Sequence, residues 1–270
     1  MSASPLVRLQ RDIDAIAHRA APPAPLTAVA VAQASGLAPD EWQRTVLESD
    51  ARQLILLCAR QSGKSTISAV LATHAALYQA PSLVLCLSPS QRQSTELFRK
   101  CLDIYRALGE PVAAIVQTRL ELELANGSRL VALPSGEAKI RGFSGVDLLL
   151  CDEASRIPEA LYQSARPMLS ISGGRLVLLS TPFGKRGFFH HEWTEGGASW
   201  ERTKITAHDC PRISADWLVQ ERATIGQWWF SQEYLCSFEE AEDQLFHDHD
   251  IDAAFSDTIA PLWAPEGLQP

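Results

Sequence analysis

The chain has 270 residues, 46% of them hydrophobic and 21% charged, which suits a protein that buries a core and excludes a disordered one. Lys and Arg number 24 against 32 Asp and Glu, a net charge of −8, and no Lys or Arg follows Gln232, so the first 232 residues carry 24 − 22 = +2. A balanced body with an acidic tail excludes a uniformly basic nucleic-acid binder, and no apolar run reaches the roughly 18–20 residues that span a bilayer.

Residues 1–38 are rich in Ala and Pro and read as an N-terminal helix and linker, lid-like toward the domain after it. Regular patterning starts at Gln53–Ala59 (QLILLCA), a continuous apolar run typical of a strand buried on both faces. Helical spacing covers Gly63–Leu77. A second buried strand, Ser82–Leu87, is followed by a polar helix over Gln91–Leu108. Leu120–Leu124 then alternates with period two, and Arg129–Leu133 answers it across Asn126-Gly127. That dipeptide predicts a hairpin turn with positive φ at both residues. Val146–Cys151 and Arg175–Leu179 add two buried strands separated by a helix through Pro158–Leu169. Strands alternating with helices predict an α/β fold with a mostly parallel central sheet flanked by helices. Six cysteines without a Cys-x-x-Cys pair, three of them inside apolar runs, point to a reducing cytosol and against a zinc ribbon.

Chemistry concentrates at the strand ends. The first strand runs into Cys58-Ala-Arg-Gln-Ser-Gly63-Lys64-Ser65-Thr66, the end of a phosphate-binding loop. Backbone N–H groups at the helix start would cradle phosphate, Lys64 would neutralise it, and Ser65 would ligate Mg²⁺. The full pattern wants glycine at 58, where this chain has cysteine. Asp152 and Glu153 end another apolar strand; Asp152 would hold Mg²⁺ and Glu153 would polarise the attacking water, giving ATP hydrolysis. Ser180 and Thr181 end the next strand, where small hydroxyls can sense the γ-phosphate. A plain strand-to-turn junction reads the same way.

These segments, with Leu87–Gln93, Ile140–Ser144, Leu148–Ser155 and Ser180–Gly187, stand in the order found in large terminase subunits, the ATPase motors that package viral DNA. The resemblance spans residues 38–240. It implies a P-loop NTPase of the RecA/ASCE kind, with a small β-hairpin and helical subdomain, over residues 39–240. The family's loop resembles Arg-Gln-x-Gly-Lys-[Ser/Thr], which accommodates the missing glycine. By resemblance, Trp42-Gln43 is the adenine-recognition element, although Trp42 reads equally well as a core anchor. Residues Gln61, Ser62, Gly63, Lys64, Ser65 and Thr66 take the phosphates. Arg60 reaches the γ-phosphate in its own subunit, and Arg141 resembles an arginine inserted into a neighbour's site. Such an arginine is worth on the order of 10³–10⁵ in rate. A salt-bridged surface role for Arg141 carries equal weight. Ser180 and Thr181 resemble the segment coupling hydrolysis to DNA movement.

The resemblance also implies double-stranded DNA, a portal protein and a small terminase subunit as partners, a homo-oligomeric ring, and a site of action in the bacterial host cytoplasm. No membrane partner is expected. A C-terminal nuclease domain is expected to be absent, because the ~100 residues it needs are not available after residue 240; either the nuclease resides on a separate chain, or the sequence is a fragment, or cutting has been lost. His247-Asp-His-Asp-Ile-Asp252 reads as solvated tail rather than a metal cluster, and residues 241–270 as an acidic linker. Phosphate contacts would come from Arg92, Arg99, Lys100 and Arg106 on one helix and from Lys185 and Arg186, each equally readable as a solvated face. Trp228-Trp229-Phe230 favours core packing over base stacking. The competing functional readings are a superfamily-two helicase-like remodeller and an ATP-gated, non-hydrolysing scaffold.

Overall fold

The structure is a computed structural model that describes residues 25–135, 142–240 and 253–254. Its strands are β1 Gln53–Cys58, β2 Leu83–Ser88, β3 Ala114–Gln117, β4 Glu121–Leu124, β5 Arg129–Pro134, β6 Leu148–Asp152, β7 Arg175–Ser180 and β8 Trp200–Ile205. They form one eight-stranded sheet in the order β3-β4-β5-β2-β6-β7-β1-β8. Neighbours from β5 through β8 pair in parallel, and β3 and β4 add an antiparallel edge. The predicted hairpin therefore extends the central sheet.

The helices are α1 Ala28–Ala34, α2 Glu41–Glu48, α3 Lys64–Tyr78, α4 Gln91–Ala107, α5 Glu159–Ala165, α6 Gly187–Thr194, α7 Ala215–Ile225 and α8 Gln227–Leu235. Alternate strand residues feed two cores. Leu54, Leu56 and Cys58 pack with α1 to α4 on one face, while Ile55 and Leu57 pack with α5, α6 and α8 on the other. Each side chain so buried contributes ~1.5–3 kcal/mol, which is why the central strands carry no polar face. All six cysteines are buried free thiols in these cores. Among the described residues no helix is long and apolar enough to cross a membrane.

Three features depart from the sequence expectations. The Ala-rich stretch before residue 39 includes α1, whose Val31 and Ala32 are fully buried, so part of the expected linker is core. The hairpin turn has positive φ at Gly127 and not at Asn126, because residues 125–128 rather than two residues separate the strands. Asn126 works through its side chain instead: Oδ1 accepts from Ser128 N–H and Nδ2 donates to the Ala76 carbonyl. Finally, β8 has no apolar run, since as an edge strand it buries its end residues Trp200 and Ile205 and leaves the rest partly solvated.

Candidate nucleotide site

The site begins where β1 stops. Cys58, at the position where the full phosphate-loop pattern has glycine, turns its thiol wholly into the core, and the loop bends after it. Gln61 (φ +58°) and Gly63 (φ +96°) take left-handed conformations, which bend the loop tightly into helix α3. Gly63 suits this φ, which residues with a Cβ rarely adopt, and it leaves room for Gln43 Nε2, which a Cβ would approach to 2.8 Å. Helix α3 starts at Lys64, adding its N-terminal amides and dipole to the same spot.

Strand β7 lies between β1 and β6, with Leu57 beside Ser180 and Leu179 beside Asp152. Three strand tips carrying the loop, the hydroxyls and the acids thus stand in a row. Across it Lys64 Nζ lies 3.0 Å from Glu153 Oε1, and Ser65 Oγ donates to Asp152 Oδ2 at 3.0 Å. Burial, reinforced by the Glu153 charge, pushes the Asp152 carboxyl up to about 6 against the opposing pull of Lys64. For Lys64, burial works to lower the pKa, but Glu153 and Asp152 outweigh it and the amine is held charged, above its ordinary value. Asp152 Oδ1 is buried without a hydrogen-bond partner among the described residues. An oxygen of this kind beside a serine hydroxyl fits a hard cation such as Mg²⁺. Glu153 itself sits at φ +54°, a costly conformation for a residue with a Cβ, with its side chain paired to Lys64.

Ser180 is tied to the turn after the acids. Its Oγ accepts from Ser155 N–H at 3.2 Å and lies 2.7 Å from Ser155 Oγ, and Thr181 is buried next to it. Ser155, unremarked in sequence, is therefore the direct link between the two motifs.

Beside the loop lies a cleft of about 300 Å³ lined by Gln43, Leu37, Pro39, Gly63, Thr66 and Arg212, among others. Gln43 Oε1 accepts from Asp40 N–H at 2.9 Å and its Nε2 donates to the Ser62 carbonyl at 3.4 Å. One amide hydrogen and one lone pair remain for a flat donor–acceptor edge. Trp42 is half-buried against the core, which makes it an anchor for α2. Arg212, which sequence reasoning missed, lies 2.8 Å from both carboxylate oxygens of Asp40 and donates to the Ser62 carbonyl at 3.0 Å. Its partners are far away in sequence, so no local pattern marks it.

The remaining predicted residues scatter. Arg60 Nε lies 3.1 Å from Glu233 Oε2. Arg141 and the His247–Asp252 cluster lie outside the described residues. On α4, Arg92 and Lys100 are exposed, Arg99 pairs with Glu96 and Arg106 with Asp103, as on a solvated helix face. Lys185 pairs with Glu240, and Arg186 stacks on Phe183. Of the aromatic run, Phe230 is buried core, Trp228 donates to the Glu240 carbonyl and Trp229 is 44% exposed.

A family model described as terminase large subunit, T4likevirus-type, N-terminal, matches residues 55–252. The chain is 24% identical over 207 residues to the terminase large subunit of Escherichia phage T5, covering 74% of this chain and 47% of that protein. It thus spans about half the length of that relative. Among solved structures it is similar to the large terminase ATPase domain of Thermus phage P74-26, with a TM-score of 0.68 and 22% identity over 77% of this chain and 97% of that one. The large terminase of another thermophilic bacteriophage, in complex with ATP-γ-S, matches at a TM-score of 0.58 and 15% identity, over 74% of this chain and 52% of that one. At these identities the structural likeness establishes the fold, a P-loop NTPase.

Proposed function

Because the chain belongs to the terminase large subunit family through that N-terminal region, we propose that it is an Mg-ATP-hydrolysing motor that drives double-stranded DNA into a procapsid. The observation that carries this reading is the convergence of Lys64 and Ser65 on Glu153 and Asp152, at 3.0 Å each, where the loop after β1 enters helix α3.

Gln43 would read the adenine edge and residues 61–66 would wrap the phosphates. Ser65 and Asp152 would hold Mg²⁺, which when bound neutralises charge on the phosphate oxygens. The incoming phosphate competes with Glu153 for Lys64. A Glu153 so released is free to accept a hydrogen bond from the attacking water and orient it. Arg60 would face the terminal phosphate within the subunit, and Arg141 would do so from a neighbour in a ring. Loss of that phosphate would shift the Asp152–Ser155 turn, and Ser155 would pass the shift to Ser180 and Thr181. From there it reaches the segment carrying Lys185 and Arg186, which with Arg92 would grip DNA phosphates without reading bases. We take residues 39–240 as the ATPase unit, with 26–38 packed onto it and 241–270 as an acidic linker. The portal and the small terminase subunit are the expected partners, in the host cytoplasm. Phosphate release measured with and without duplex DNA tests the reading: turnover that rises with DNA supports it, and no turnover under either condition contradicts it.

A further inference from the structure

Glu233, on α8, is 6% exposed and takes no part in the hydrolysis steps of the proposed motor. Burying a carboxylate is costly unless something nearby needs its charge. What lies nearby is two arginines from opposite sides of the phosphate site. Arg60, from the loop, places Nε 3.1 Å from Glu233 Oε2, and its backbone N–H donates to the Glu233 carbonyl at 2.9 Å. Arg156, three residues past Glu153, places Nη2 3.9 Å from Glu233 Oε1. The Nε contact is close without the alignment of a hydrogen bond, since Oε2 has no such partner among the described residues. Arg60 is thus held by charge at Nε and by its backbone. Its side chain is 62% exposed.

The contacts continue outward. Arg156 lies over the Phe183 ring at 4.1 Å, and Arg186 covers the same ring at 4.4 Å. Gln232, next to Glu233, accepts from Gly184 N–H through Oε1 at 3.2 Å. The end of α8 therefore touches both the phosphate loop and the segment that follows Ser180-Thr181.

We propose that Glu233 is a positioning residue for Arg60: its buried charge sets the guanidinium at the mouth of the phosphate loop and, through Arg156 and Phe183, ties that guanidinium to the Ser180–Arg186 segment. The inference rests on the ATPase reading. A misplacement of about 1 Å at such a group costs up to roughly 10²-fold in rate.

The test is a double-mutant cycle on the full chain, read by steady-state ATP turnover and by binding of fluorescent ADP. Glu233→Gln keeps the shape and removes the charge. Its kcat is expected to fall by about 10- to 100-fold with ADP affinity within about twofold of wild type, because a group acting on the terminal phosphate is not read by ADP. Arg60→Ala with Glu233→Gln is expected to be no slower than Arg60→Ala alone. Unchanged kcat in Glu233→Gln, losses that multiply in the double variant, or a parallel loss of ADP affinity each overturn the proposal. If Glu233→Gln does not fold, the cycle runs with Glu233→Asp. Its effect must then vanish in the Arg60→Ala background, and an effect equal in both backgrounds, or none in either, overturns the proposal. Lys64→Ala separates the two levels: should it bind ADP like wild type, the nucleotide site itself is wrong, whatever Glu233 does.

Discussion

The phosphate end of the site is built from the tips of three adjacent parallel strands, whereas the cleft beside Gln43 is built from a helix cap and a loop arriving from beyond the sheet edge. At the first, register alone places Leu57, Ser180, Leu179 and Asp152 side by side, and each functional residue sits within a few positions of a buried strand. At the second, Asp40, Gln43 and Arg212 hold one another and the Ser62 carbonyl through side chains. Backbone register fixes the first region, and exchangeable polar contacts shape the second. Substitutions at the phosphate end should therefore be severe and specific to a step, and those in the cleft mild and specific to the base.

The largest expected effect is that of Glu153→Gln. Turnover should fall by about 10²–10⁴-fold while ATP still binds, measured by phosphate release beside equilibrium binding. Turnover near wild type would remove Glu153 from orienting water and blunt the contrast between the two ends. Next comes Lys64→Ala, which leaves Glu153 and Asp152 without their buried counter-charge. Affinity for ATP should weaken by about 10- to 100-fold, and titration calorimetry giving an unchanged Kd would make the loop ornamental. In the cleft, Gln43→Ala should reduce the preference for ATP over GTP by about fivefold, one hydrogen bond's worth. Arg212→Ala, which breaks a partly exposed ion pair with Asp40, should weaken ADP binding by about two- to fivefold without altering kcat. A large kcat loss from either cleft variant would show that the two regions are mechanically one.

This division also explains what could be read in advance. Gly63-Lys64-Ser65 and Asp152-Glu153 are short runs attached to buried strands, so their adjacency in sequence survives into space. Continuous apolar runs likewise marked β1, β2, β6 and β7. Arg212 and Glu233 were invisible because each acquires its meaning from partners far along the chain, 172 residues away for Arg212 and Asp40. Ser155 had no sequence signal of its own, since its bond to Ser180 exists only once β6 and β7 pair. β8 escaped notice for a different reason: as an edge strand it needs no apolar face, and β3, four exposed residues long, is too short to show a period. Helix α1 was hidden by its alanines, which pack closely but lack the bulky periodicity that signals a helix.

A crystal structure of the chain soaked with Mg²⁺ and a non-hydrolysable ATP analogue tests the central claim most directly. The account predicts the cation on Ser65 Oγ and reached by Asp152, with Lys64 Nζ transferred from Glu153 to a phosphate oxygen. A triphosphate bound elsewhere, with Lys64 still paired to Glu153, would contradict it.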